Sequence, residues 1–127
     1  MQALVAHQKQ FVIGPHAVRV RPEWHAFELA DRLIISLCPK LRVSRLFSKD
    51  GKEHFLLGLA VLADIPGCSV EQTFASKHSS EIEEWTGFWA GKWALISATQ
   101  CWQDAAGLLG LYHRRTADGF WISSSPA

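Results

Sequence analysis

The chain has 127 residues, 13 of them Lys or Arg and 12 Asp or Glu, giving a net charge of +1. This is the length of a single domain spanning residues 1–127. At this size roughly two-thirds of the unfolded surface can be buried, so no disulfide or metal staple is required. With no basic block and no acidic tail, nucleic acid and anionic membrane are excluded as electrostatic partners.

In chain order, residues 1–10 lack periodic patterning and are expected to be loose. "QFVIG" (10–14) reads as a first strand. "RPEWHAFELADR" (21–32) suits a short helix or a strand, and "RLIISL" reads as a strand that Pro39 ends. "LRVSRLF" and "EHFLLGLAVLA" flank "SKDGK", and "LLGLYHRR" and "GFWISS" flank "TADG". Asp-Gly between apolar runs marks a hairpin, because these residues tolerate positive φ. "GKWALIS" and "TQCW" add two further strands.

Between the hairpins lie two helix signals. Ser69 with Gln72 three residues on forms a capping box, which places Val70, Phe74 and Lys77 on one side. Ser80 with Glu83 repeats the pattern, and Ile82, Trp85 and Trp89 then follow at helical spacing until Gly87 or Gly91 stops the helix. The strands "LIISL", "FLLGLAVLA", "WALI" and "GLLGLY" are nearly continuously apolar rather than alternating, as expected for sheets covered on both faces. The expected class is therefore α+β, with layered antiparallel sheets flanked by helices.

Three cysteines, Cys38, Cys68 and Cys101, are odd in number and form no CxxC pair, so free thiols in a reducing compartment are expected. No signal peptide and no apolar run of membrane-spanning length is evident, which points to a cytoplasmic protein. Six histidines show no pair at the spacing of a local metal site, so neither metal nor cofactor is expected. Of the six tryptophans, Trp85 and Trp89 read as core. Trp121, on a terminal hairpin, is the candidate interface residue.

From Gly91 onward the sequence resembles the N-terminal glutaminase-type domain of asparagine synthetases and related class II amidotransferases. The residues that carry the resemblance are Gly91, Trp93 to Ile96, the Asp104–x–x–Gly107 turn, Leu111-Tyr112 and Ser123 to Ser125. The likeness extends over about residues 30–127. It implies an N-terminal-nucleophile hydrolase fold, an αββα sandwich, in which Asp104 and Gly107 shape a tight turn and Tyr112 ends the next strand.

The resemblance also shows what is missing. Where the family places its nucleophilic cysteine, this chain has Gln10, and where the oxyanion-binding Asn-Gly and the following Glu belong it has Leu57, Gly58 and Leu59. A leucine donates nothing to a developing oxyanion, and losing one such donor costs on the order of a hundred-fold in rate. The expectation is a degenerate, truncated glutaminase domain. It would act as a docking domain for an ATP-dependent synthetase domain or associate with itself, through apolar edges such as "GFWISS" that a partner strand or domain completes. Two alternatives are a cysteine amide hydrolase using Cys101 or Cys38, and a tryptophan-rich module binding carbohydrate or another small molecule.

Overall fold

The computed structural model describes residues 10–18, 22–29, 33–63, 65, 67–104, 111–117 and 119–124. Among the described residues nine strands are present: β1 (Phe11–Gly14), β2 (His25–Leu29), β3 (Leu33–Leu37), β4 (Val43–Phe47), β5 (Glu53–Leu62), β6 (Trp89–Ser97), β7 (Cys101–Gln103), β8 (Tyr112–Thr116) and β9 (Gly119–Ser123). Two short helices, α1 (Val70–Thr73) and α2 (Ile82–Thr86), lie between β5 and β6. The class is α+β, dominated by two antiparallel sheets. The chain divides into two compact units, Met1–Leu41 with Gly110–Ala127, and Arg42–Leu109.

The first unit is a five-stranded sheet in the order β2-β3-β1-β9-β8. Phe11 lies opposite Leu37, and Ile13 lies opposite both Ile35 and Ile122. Phe11, Ile13, Ile35 and Leu37 therefore share one face, and all four are buried. On the other face Ser36 is buried, and its hydroxyl accepts the Val18 N–H at 3.0 Å. The ambiguous "HAFEL" segment is strand β2, with Trp24 buried just ahead of it.

"GFWISS" was expected to form an apolar edge awaiting a partner strand, and the strand order corrects this. β9 is interior, between β1 and β8. The edge is β8, "YHRRT", exposed along its whole length. Arg114 and Arg115 on that edge oppose addition of a further like strand, the usual protection of a free sheet edge.

The second unit carries the order β4-β5-β6-β7. The Asp50-Gly51 turn closes the β4–β5 hairpin as expected, with Gly51 at φ 82° and the Ser48 N–H donating to the Lys52 carbonyl at 3.0 Å. On one face of β5 and β6, Leu56, Ala60, Leu62, Trp89, Trp93 and Leu95 meet Val70 and Phe74 of the first helical segment and Ile82 and Trp85 of α2. Three indoles run through this core. Trp85 meets Trp89, and Trp89 meets Trp93, each edge-on at 4.9 Å between centroids. On the opposite face Phe55, Leu57, Ala94 and Ile96 are buried too, as the continuous apolar runs required. Farther along that face Leu59 and Val61 are exposed.

The first capping box forms as expected: the Gln72 N–H donates to Ser69 Oγ at 3.2 Å, and the Ser69 N–H to Gln72 Oε1 at 3.1 Å. The second box lies two residues earlier than expected. His78, not Ser80, is the cap; its Nδ1 accepts the Ser80 N–H, and its own N–H donates to Glu81 Oε1 at 2.9 Å. An imidazole nitrogen with a free lone pair serves as well as a hydroxyl here. The helix stops at Gly87, so Trp89 belongs to β6, and Gly91 lies within that strand at φ 109°.

Candidate functional site

Gln10 precedes β1. Its nitrogen is a peptide amide that donates to Ser124 Oγ at 2.6 Å, and its carbonyl accepts from the Cys38 N–H at 2.9 Å. An amide nitrogen has no basicity to lend, so this position supplies neither nucleophile nor base. The Gln10 Oε1 atom is buried with no hydrogen-bond partner among the described residues.

Leu57, Gly58 and Leu59 lie in the middle of β5. Leu57 is fully buried, and Leu59 is 48% exposed on the same face. The Gly58 N–H donates to the Arg42 carbonyl at 2.8 Å, so the one group here able to stabilise an oxyanion is already used. Gly58 lies opposite Trp93 and Gly91 opposite Ala60, so the two glycines flank the Leu59–Lys92 pair. Both have positive φ, 83° and 109°. A Cβ at Gly58 would sit 2.3 Å from the Lys92 carbonyl oxygen, and one at Gly91 would sit 2.3 Å from that of Leu59. The strands approach closely here because neither residue has a side chain.

Asp104 follows β7 and is only 5% exposed. Its Oδ2 accepts the Trp93 N–H at 3.2 Å, and its own N–H donates to the Trp93 carbonyl at 3.1 Å. The residue thus ends the β6–β7 ladder by satisfying both backbone groups of Trp93. Gly107 lies outside the described residues. Tyr112 begins β8 in the other unit, half exposed and opposite Ser123. Asp104→Ala leaves the Trp93 N–H without this acceptor and is expected to cost about 1–3 kcal/mol. Thermal melting checks this, and Asp104→Asn, which keeps an acceptor, is expected to lose less.

Trp121 is held inside its own unit. Its Nε1 donates to Thr116 Oγ1 at 3.0 Å, and its ring meets His16 edge-on at 4.9 Å. A Cβ on Gly14 would lie 2.0 Å from this ring, so the glycine makes room for the indole.

Cys101 is on an exposed stretch of β7, yet the protein around its thiol pushes the pKa up through burial, away from the reactive thiolate. Cys38 and Cys68 are free and partly buried. Cys101 belongs to the second unit. Among the described residues no group of three or more His, Cys, Asp or Glu side chains could hold a metal ion. No described helix is long and apolar enough to cross a membrane.

Two polar clusters escaped the sequence reading. His54 is buried, stacked on Trp102 at 6.2 Å and edge-on to Phe74 at 5.1 Å. Its Nδ1 lies 3.0 Å from the Lys52 carbonyl, so that nitrogen carries the proton. Burial pushes its pKa below the ordinary value, and the Lys52 contact opposes this only in part. The folded chain then prefers neutral imidazole. The stability contributed by this group is present above the unfolded-state pKa of about 6.5 and is lost as pH falls from there toward the folded pKa. Melting temperature is expected to drop between neutral pH and about pH 5, and His54→Phe is expected to flatten that part of the profile.

Asp50 joins the β4–β5 turn to the start of the second helical segment. It accepts from Ser48 Oγ at 2.7 Å, the Ser79 N–H at 2.9 Å and Ser79 Oγ, and His78 Nε2 stands 3.6 Å away. The serine hydrogen bonds hold its carboxyl well below the usual carboxylate range. Asp50, His78 and Ser80 are residue types found in hydrolytic relays. Here His78 Nδ1 is engaged as a helix cap and Asp50 as a clamp, so the cluster is architectural.

Compared with known proteins, the chain has no match to a family model, a curated protein or a solved structure.

Proposed function

We propose that this chain is a glutaminase-type domain of the asparagine-synthetase kind that has lost its amide chemistry and works by docking. That reading implies the αββα fold of the N-terminal-nucleophile hydrolases. Its partner is an ATP-dependent synthetase-type domain or a second copy of itself. The observation that carries the reading is the state of the aligned oxyanion position, where Gly58 donates to Arg42 and is flanked by two leucines. The raised pKa of Cys101 argues against a substitute nucleophile.

Docking is supported by the exposed apolar side chains of the β5–β6 hairpin and the residues beside it. Leu59 and Val61 are exposed on one face of β5, and exposed Phe88 lies where the Ala63 N–H donates to its carbonyl at 3.1 Å. Exposed apolar side chains grouped near one another are a mark of interaction sites. Analytical ultracentrifugation tests the reading, with the chain alone and mixed with an asparagine-synthetase-type ATP-binding domain. Association is expected in one of these samples and is expected to vanish in Leu59→Arg. A chain that stays monomeric and ignores that domain overturns the docking role.

A further inference from the structure

A cleft of about 280 Å³ opens in the second unit, lined by Lys77, Ser80, Glu81, Glu84, Trp85 and Phe88. Its size is near the lower end for small-molecule sites, which run from roughly 300 to 1,000 Å³. Trp85, buried in the core on its other sides, forms the floor, and Phe88, 53% exposed, forms a second aromatic wall. The polar lining is of both signs. The Lys77 ammonium stands 5.3 Å from the centroid of the Trp85 ring. Among the described residues it has no carboxylate within ion-pair distance, and the Glu84 carboxylate has neither an ion-pair nor a hydrogen-bond partner there. Glu81 already spends one oxygen on the His78 N–H.

We propose that this cleft binds a free α-amino acid with an apolar or aromatic side chain. A ligand carrying only a cation meets the Lys77 ammonium, and one carrying only an anion meets Glu81 and Glu84. A neutral sugar stacks on Trp85 but leaves both charges unpaired. A zwitterion meets none of these objections. Its α-carboxylate pairs with Lys77, its α-ammonium pairs with Glu84, and its side chain lies against Trp85 and Phe88. The Trp85 face already hosts an ammonium, which shows that it accepts a cation at ring distance. The site is separate from the Leu57–Leu59 positions and does not depend on the glutaminase reading.

The test is calorimetric titration of the purified chain with L-phenylalanine and L-leucine. The controls are phenylalanine amide, which lacks the carboxylate, and N-acetylphenylalanine, which lacks the ammonium. Saturable binding in the millimolar range is expected, weakened at least about fivefold by either modification, the scale of one partly exposed ion pair. Lys77→Met is expected to bind the acid and its amide alike. Glu84→Gln is expected to bind the free and acetylated forms alike. The analogues act on the unaltered protein, so the result does not hinge on the variants folding. Absence of saturable binding at tens of millimolar, equal affinity for the amide, or full affinity in both variants overturns the proposal.

Discussion

Replacing Trp93 by alanine is expected to lower the stability of the chain by about 3–5 kcal/mol, the upper range for emptying a buried aromatic site. Trp93 is 1% exposed and sits at the end of the Trp85–Trp89–Trp93 chain, between β6 and the core side chains of β5. Its backbone is fixed on both sides, opposite Gly58 on β5 and bonded to Asp104 beyond β7, so the surroundings have little freedom to collapse into the void. Trp93→Phe is the informative control. Among the described residues the Trp93 Nε1 has no hydrogen-bond partner, and neither does that of Trp89. A buried donor left unmade costs about 1–3 kcal/mol, so removing it offsets part of the lost volume. Denaturant unfolding of Trp93→Phe is expected to fall within about 1 kcal/mol of the parent. A phenylalanine variant as damaged as the alanine one would show that the indole N–H is satisfied in solution.

The second large effect is expected at Gly58. Gly58→Ala forces a Cβ residue into φ 83° and places that carbon 2.3 Å from the Lys92 carbonyl oxygen. The backbone conformation alone costs on the order of 1–2 kcal/mol, and the clash with a paired strand adds to it, for a total of about 2–4 kcal/mol. Gly51→Ala separates the two contributions. It has nearly the same φ, 82°, with nothing within 4 Å of the new carbon. It is expected to show the conformational cost alone, about 1 kcal/mol or more below the loss at Gly58. Equal losses at the two sites would mean that the β5 and β6 backbones separate easily at Leu59 and Lys92.

Features governed by neighbouring residues were legible in the sequence. The Asp50-Gly51 turn and the Ser69–Gln72 box depend on side chains within three positions, and both formed as expected. The continuous apolar runs of β5 and β6 correctly signalled burial on both faces. What failed was set by tertiary partners. Trp89 has the helical i+4 spacing from Trp85, and the pair does touch. The contact is made across the chain reversal at Gly87, with Trp89 on a strand. "GFWISS" looks like an edge because nothing in its own composition reveals that β1 flanks it from more than a hundred residues away. His78 was passed over as a cap because the neighbouring serine has the commoner capping side chain. The choice was settled by the Asp50 carboxylate engaging Ser79 beside it.

The candidate site divides in the same way. Under the proposed glutaminase reading, that Leu57 and Leu59 stand where the oxyanion and amine-binding side chains would be is visible in the sequence. That the backbone donor of Gly58 is also consumed is not, because it depends on the carbonyl of Arg42, just ahead of β4, lying within reach of Gly58. Asp104 stands in the sequence as a turn residue, and in the structure its carboxylate accepts a backbone N–H. Its donor, however, is Trp93, eleven residues back, and that follows from the β6–β7 pairing.

Glutamine turnover tests the loss of amide chemistry most directly. Purified chain is incubated with millimolar L-glutamine near neutral pH, and ammonia is followed beside a protein-free blank. Release at the blank's rate, unchanged by Cys101→Ala, is the expected result. Ammonia that rises in proportion to protein concentration and disappears in Cys101→Ala or Cys38→Ala would contradict the account.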